Sequence, residues 1–345
     1  MAQCDARLEV IRHWLSHDLR LQHERLLPAS SDASFRRYFR VFTAGGSYVV
    51  MDAPPGKEDV RPYLKVGALL AAVGAHVPHV HEIDVPRGLL LLEDLGTTSY
   101  LQRLESSDDA EALYADALRV LADIQVQGDA GAHELAPYDR EALAREMALM
   151  PEWFCGRHLG FEPADAEREV LGAAFEFLIT AALAQRQVFV HRDYHSRNLM
   201  VVAERNPGII DFQDALRGPV GYDLVSLLKD CYISWPRPRV EGWVSAYRSL
   251  LMARGVAVAH EQQFLRDFDL IGVQRHLKVL GIFARLWHRD GKRGYLLDLP
   301  RTLDYVRDTC ARYSELAALG AFLERRAVSA LERANARAAA TAARA

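Results

Sequence analysis

Long apolar runs are missing from this 345-residue chain. No uninterrupted stretch approaches the ~20 residues that a membrane-crossing helix needs, although half of the residues are hydrophobic. The N-terminus, MAQCDARLEV, is charged rather than apolar, so no signal-peptide pattern is present. Cysteine is scarce. Cys4, Cys155, Cys231 and Cys310 lie far apart without a C-x-x-C pair, which argues against a zinc site and a disulfide framework. Positive charge is not in excess either: 42 Lys and Arg face 46 Asp and Glu, a net charge of −4, so the basic footprint of a nucleic-acid binder is lacking. No internal repeat is visible. These absences leave a soluble, cytoplasmic protein with no membrane or nucleic-acid partner. The length suggests about two domains at ~150 residues each.

What is present concentrates in one stretch. His191-Arg192-Asp193 is followed by Asn198 five residues after the aspartate, and then by Asp211-Phe212-Gln213. Phosphoryl transfer from ATP needs an acceptor for the substrate hydroxyl's proton and magnesium held against the phosphates. The spacing H-R-D-x-x-x-x-N, followed by an Asp in the D-F-G position, supplies those parts. Gln187 to Val190 read as a short buried strand ending at His191. Leu199 to Val202 and Gly208 to Ile210 read as two strands joined by the turn Asn206-Pro207-Gly208. That hairpin brings Asn198 and Asp211 together on one cation, since Mg2+ takes oxygen ligands and keeps waters. Asp193 is then free to orient and deprotonate the acceptor hydroxyl. A lone loop aspartate is usually a turn former; three groups at matching spacing, with matching strands between them, point to chemistry. His191 is expected to brace the loop, and His195 is open between substrate and solvent.

The N-terminal third is less complete. Residues 5 to 20 carry Leu8, Ile11, Trp14 and Leu15 at helical spacing. Ser30 to Ser34 form a polar loop before a strand hairpin that turns at Gly45-Gly46. In a kinase-type N-terminal lobe such a loop covers the phosphates, which assigns Ser31, Ser34, Phe35 and Arg36 to the nucleotide. No G-x-G-x-x-G is present. The strand that would carry V-A-I-K reads Val49-Val50-Met51-Asp52, without a cation. Arg36, Arg37, Arg40, Lys57 and Lys65 all remain open as its replacement. Leu89 to Leu92 form a buried strand running into Glu93-Asp94-Leu95-Gly96, where main-chain groups near Glu93 and Leu95 are expected to meet adenine. Helices are expected over 113–124 and 165–184, from Tyr222, and through most of 240–325. Asp223 is expected to cap its helix or to hydrogen-bond the catalytic-loop backbone. From Arg326 an Ala/Arg-rich helix is expected to fray.

With these residues in place, the chain resembles the aminoglycoside-phosphotransferase/choline-kinase superfamily of small-molecule kinases. Within it, the resemblance is to the anomeric kinases that phosphorylate N-acetylmuramate and N-acetylglucosamine at C1. It rests on SDASFRRYFRV (31–41), VVMDAPPG (49–56), LLLLEDLGTTSYL (89–101), HRDYHSRNLM (191–200), PGIIDFQDALRGPVGYDLVSLLKDCYISW (207–235) and QRHLKVLGIFARLWHRDGKRGYLLDLPR (274–301). It implies an α+β, two-lobed protein-kinase-like fold with a small β-rich N-lobe and a larger, mainly helical C-lobe. The N-lobe is set at 1–97, the C-lobe at 98–325 and a tail at 326–345. It also implies ATP and Mg2+ as cofactors, Asp193 as catalytic base, and Asn198 and Asp211 as metal ligands. The implied setting is bacterial cell-wall sugar recycling, with the 1-phosphate passed to a uridylyltransferase. That group tolerates MDAPP in place of the lysine strand. Most small-molecule relatives have Gly where this chain has Arg192, a departure that favours the anomeric kinases.

The sugar side is read from chemistry. Gln213 and Asp214 directly follow the metal aspartate, and Arg217, Arg275, His276, Trp287 and Arg289 are candidate lining residues. A lactyl carboxylate calls for a bidentate Arg. A polycationic aminoglycoside calls for an acidic cleft, and the helical region is instead rich in Arg and Lys. Kinases of choline, homoserine or an antibiotic stay as alternatives, as does a nucleotide-binding pseudokinase, for which the missing lysine is the best argument. A protein kinase is disfavoured because Gly218-Pro219 and a helix follow Asp211 almost at once, with no A-P-E segment.

Overall fold

The computed structural model describes residues 5–31, 35–107 and 109–344, with the side chains of Ser30, Ser31 and 341–344 left outside the description. The chain forms two compact units, Met1–Ser106 with Arg197–Asp214, and Ser107–Ser196 with Ala215–Ala345. The first unit therefore runs past the boundary expected at residue 97 and takes in the hairpin that carries Asn198 and Asp211. Backbone pairing is the reason: His76 bridges Gly208, Ser99 bridges Met200, and the Val201 N–H donates to the Thr98 carbonyl at 2.9 Å.

The first unit is built on a five-stranded antiparallel sheet. Its strands are β1 (Arg25–Ser31), β2 (Arg37–Thr43), β3 (Gly46–Asp52), β4 (Val80–Asp84) and β5 (Leu89–Glu93), in the order β1-β2-β3-β5-β4. The β2–β3 turn closes with Thr43 opposite Gly46, whose φ of 137° suits glycine. Helix α1 (Ala6–His13) and the π-helical turn Trp14–Asp18 lay Ile11, Trp14 and Leu15 on Phe39, Val41, Val50, Leu89 and Leu91. Alternation along β2 and β3 sends the intervening side chains to the other face. Helix α2 (Arg61–Ala72) buries Tyr63, Val66 and Leu70. The polar loop expected from residue 30 starts later than the sequence suggests. Ser30 and Ser31 belong to edge strand β1, whose pairing shifts between Pro28 and Ser30 because proline cannot donate to the ladder.

The second unit is organised around one long helix. Helices α3 (Ala110–Gln127), α4 (Asp165–Ala184), α5 (Gly221–Leu228), α6 (Glu261–His288), α7 (Leu299–Cys310) and α8 (Val328–Arg344) make up most of it. Every residue of α6 from Phe268 to Gly281 is buried, so this helix has no solvent stripe in that stretch and must be surrounded. Helices α4, α5 and α7 and the π-helical segment Met150–Leu159 pack against it. The Ala/Arg-rich end is docked rather than frayed at its start: Leu331, Ala334 and Ala338 are buried at helical spacing, and Asn335 accepts a 2.8 Å hydrogen bond from His158. Among the described residues no helix is long and apolar enough to cross a membrane.

Gly281 is where α6 meets the Met150–Leu159 segment most closely. A Cβ there would lie 2.4 Å from the Leu149 carbonyl carbon. Gly281→Ala is expected to cost about 1–3 kcal/mol or more through overpacking. Thermal unfolding should show a Tm several degrees lower, and an unchanged Tm would contradict this packing.

Candidate active site

In the first unit, the hairpin Leu199–Met200 with Gly208–Ile209 sets the metal-type pair side by side. Asn198 Nδ2 lies 3.3 Å from Asp211 Oδ2, and the Ile210 N–H donates to the Asn198 carbonyl at 3.1 Å. Asp211 has φ 63°, a left-handed conformation that is uncommon for a non-glycine residue and tends to persist where function needs it. Phe212 anchors the turn, fully buried with its ring 4.6 Å from that of Tyr63 on α2. Gln213 Nε2 donates to Asp211 Oδ1 at 2.8 Å, so this side chain braces the carboxylate; Asp214 is exposed. The Arg36 guanidinium stands 3.8 Å from Asp211 Oδ1. An amide and a carboxylate presented together, with room for phosphate oxygens and water, form a donor set that suits Mg2+.

Asn198 and Asp211 border a cavity of about 460 Å³ within the same unit. Val49, Leu92, Leu95, Met200 and Ile210 give it apolar walls, and Glu93 and Asp94 lie along it. The size and lining suit a small organic ligand. Glu93 is tied down on both sides. Its N–H donates to the His79 carbonyl at 2.8 Å, and its carboxylate takes His76 Nε2 at 3.0 Å and the His79 N–H at 3.1 Å. Burial would push Asp94 up, but Arg40, Ser47 and the Gly96 N–H hold it below the usual carboxylate range. Phe35 does not line this cavity. Its ring is 60% exposed beneath the Lys57 ammonium, and its N–H is taken by Glu58 at 3.0 Å. Ser34 and the Ser31 side chain lie outside the described residues.

In the second unit, Gln187–Val190 pairs with Leu216–Pro219, and the catalytic-type loop leaves the end of that ladder. The fully buried Asp223 accepts the N–H groups of His191 and Arg192 at 2.7 and 2.9 Å. Arg192 has φ 78°. Asp193 N–H then bonds His191 Nδ1 at 3.2 Å, so His191 does brace the loop. Further on, Asp230 accepts the Ser196 N–H at 2.9 Å and the Tyr232 N–H at 2.9 Å. Burial pushes Asp223 up to about 7, against the pull of its two amide bonds.

The charge around Asp193 is shaped in part by Lys278 and Glu146, which the sequence did not single out. Burial would raise Asp193, but Lys278, His195, Arg192 and Arg275 outweigh it and hold the carboxyl below its ordinary value. Lys278, buried on α6, donates to the Tyr222 hydroxyl at 3.0 Å and pairs with Glu146 at 3.2 Å. Glu146 also receives Arg192 and the Tyr138 hydroxyl. Glu146 lies below its usual range because Lys278 and Arg192 overcome the upward push of burial. The one sequence signal for this cluster was a lysine inside the apolar run Leu277 to Leu280, where a solvated lysine has no place.

The sugar-side candidates scatter. Arg275 is buried, 4% exposed, with Nη1 3.6 Å from Cys231 Sγ. His276 belongs to the core: it is buried, bonds the Lys229 carbonyl at 2.8 Å and stacks on Tyr305. Arg289 is committed to a solvent-facing pair with Asp290 at 2.7 Å, and Trp287 is half-buried beside Arg293. Arg217 is held through its main chain by Ala136 and Tyr138, with its Nε buried. His276 and Arg289 therefore lack the geometry of lining residues. An aromatic row that was not expected runs from His195 through Tyr232 and Phe283 to Tyr295, with successive rings 5.3, 6.1 and 5.1 Å apart.

Comparison with known proteins matches residues 25–256 to a phosphotransferase enzyme family. A protein of Pseudomonas putida named N-acetylmuramate/N-acetylglucosamine kinase is 47% identical, over 93% of this chain and 96% of its own. A Neisseria meningitidis protein of the same name is 44% identical, over 91% of this chain and 94% of its own. Among solved structures, the choline kinase LicA from Streptococcus pneumoniae aligns with a TM-score of 0.63 at 14% identity, covering 89% of this chain and 99% of that one. The ADP-bound aminoglycoside phosphotransferase APH(2'')-Ib aligns at 0.58 and 15% identity, over 88% and 99%. At those identities the structures establish a shared kinase-like fold, with the strand-rich and mainly helical parts expected from the sequence.

The Asp223 clamp makes a direct prediction. Asp223→Ala leaves two buried amides without an acceptor and is expected to cost roughly 2–5 kcal/mol of unfolding free energy. Asp223→Asn keeps one acceptor and should cost less. Urea denaturation reads both, and a loss under about 1 kcal/mol for the alanine variant would remove the clamp from the loop's architecture.

Proposed function

The chain belongs to the phosphotransferase enzyme family, and from that premise we propose that it is an ATP-dependent kinase. It phosphorylates the anomeric hydroxyl of N-acetylmuramate and N-acetylglucosamine, giving the sugar 1-phosphate for peptidoglycan recycling. The observation that carries the acceptor is the identity of 44–47% to relatives bearing that name, over more than nine-tenths of the chain. The product suits transfer of a uridylyl group by a uridylyltransferase, and the reaction belongs in the cytoplasm, where ATP is available.

The mechanism follows from the residues. The sugar's C1 hydroxyl attacks the γ-phosphorus of ATP, its proton passes to an Asp193 carboxylate oxygen, and the bond to the ADP oxygen breaks. Asn198 and Asp211 would hold Mg2+, which would supply positive charge to offset the phosphates. Main-chain groups at Glu93 and Leu95 meet the adenine, and the apolar walls exclude water from the base. Asp193 acts as base because surrounding cations keep it ionised. The row His195, Tyr232, Phe283 and Tyr295 offers aromatic faces to a pyranose ring, which stacks its apolar C–H face on such surfaces. Arg275, near Asp193, offers a guanidinium to a lactyl carboxylate.

The absent strand lysine favours a second reading, a nucleotide-binding pseudokinase. One experiment separates the two. Purified protein with ATP, magnesium and either sugar should produce a new anomeric phosphate signal by phosphorus and proton NMR. Asp193→Asn should lose most of kcat while still binding ATP. Turnover of neither sugar would reject the acceptor, and near-normal turnover by the variant would reject Asp193 as base.

The buried Lys278 gives a pH test. Its positive charge lowers Asp193, so Lys278→Met should raise the pKa of the base, and the acidic limb of the kcat/KM profile should move to higher pH. An acidic limb that stays in place, in a folded variant, would separate Lys278 from the base.

A further inference from the structure

The phosphates of a bound nucleotide need a cation, and the strand that carries a lysine in kinase folds carries none here. On the cavity-facing side of β3, Val49 lines the cavity, and the next residue on that side is Met51, fully buried. Asp52 points the other way and is taken by Arg7 at 2.9 Å and Arg37 at 2.7 Å. The charge must come from elsewhere.

Strand β2 runs beside β3, with Tyr38 opposite Met51. Tyr38 and Arg40 line the cavity, and Arg36, one residue before β2 begins, stands at the Asp211 end. The three arginines of this segment face different neighbours. Arg37 is spent on Asp5 and Asp52, and Arg40 is forked onto Asp94 at 2.6 and 3.0 Å, with a further bond to the Gly96 carbonyl. Arg36 stands 3.8 Å from the Asp211 carboxylate with its side chain only 10% exposed. Helix α2 presents no acid there: it presents Tyr63, buried, whose phenol is raised by burial first and also senses both Arg36 and Asp211.

We propose that Arg36 is the phosphate-binding cation of this chain, replacing the strand lysine from the residue just before the neighbouring strand and taking the polyphosphate of a nucleoside di- or triphosphate. The proposal rests on the reading that the first unit binds ATP. A planar guanidinium beside the metal carboxylate matches phosphate oxygens in a fork that a lysine cannot make. Its burial removes the solvent that would screen it.

Calorimetry of the full chain with ATP, ADP and adenosine, with and without magnesium, tests this apart from turnover. Arg36→Ala should weaken ATP and ADP by about 10–100-fold, the range for a lost charge-assisted pair, and leave adenosine affinity unchanged. Arg36→Lys should recover part of the loss. An equal loss for adenosine would mean that Arg36 only shapes the unit, and would overturn the proposal. Unchanged ATP affinity would also overturn it and move the charge to Arg197, the exposed arginine bordering the cavity. Wild-type protein that binds none of the three would overturn the nucleotide reading, and the proposal with it.

Discussion

The hydrogen bonds from the His191 and Arg192 amides to one buried carboxylate, Asp223, are what the catalytic-type loop depends on. Arg192 sits at φ 78°, a conformation that a non-glycine residue does not hold unaided. The strand ladder fixes the chain before it, Asp223 fixes the bend, and Asp230 fixes the chain after it through Ser196. Asp193 lies between those fixed points. Its position is over-determined by backbone contacts, which is the condition under which strain can persist at a working site.

The same region has to solve a charge problem. Two cations, Lys278 and Arg192, sit in protein near one another and would repel. Glu146 pairs with both, and Asp193 supplies a second negative charge that also offsets Arg275. This explains why an arginine stands where glycine would suit the backbone better. Its side chain reaches Glu146, and the ion pair offsets the conformational cost that glycine would avoid. Removing any single member of such a cluster leaves an uncompensated charge, which is why its effects should exceed those of surface ion pairs.

Local pattern and short spacing made part of this legible. The strand at 187–190, the helix at 165–184 and the hairpin bringing Asn198 to Asp211 were all readable, because apolar runs and a turn dipeptide bounded each one. Asp223 was readable as a loop or cap partner because it follows the motif closely. Glu146 was not, since it lies far from Asp193 in sequence and looks like any helix glutamate. Nor was the end of strand β1, where Ser30 and Ser31 read as loop although an edge position tolerates them. His276 and Arg289 were nominated by type alone. The first is a satisfied core histidine and the second a solvated arginine. Residue type identifies groups able to do chemistry, while tertiary packing decides which of them are spent on structure.

Packing also accounts for the missing lysine. A lysine at Met51 would be a buried ammonium on a fully covered strand position, tolerable only with an acid beside it. Helix α2 brings Tyr63, not an acid, into the neighbourhood of Arg36 and Asp211. Neither a lysine on β3 nor an acid on helix α2 is present. What stands there is an arginine beside the metal-type carboxylate, 3.8 Å away. On the Arg36 proposal, Asp211 couples nucleotide binding to metal binding. Phosphate affinity then becomes a property of the Asp211 turn, and not of the sheet alone.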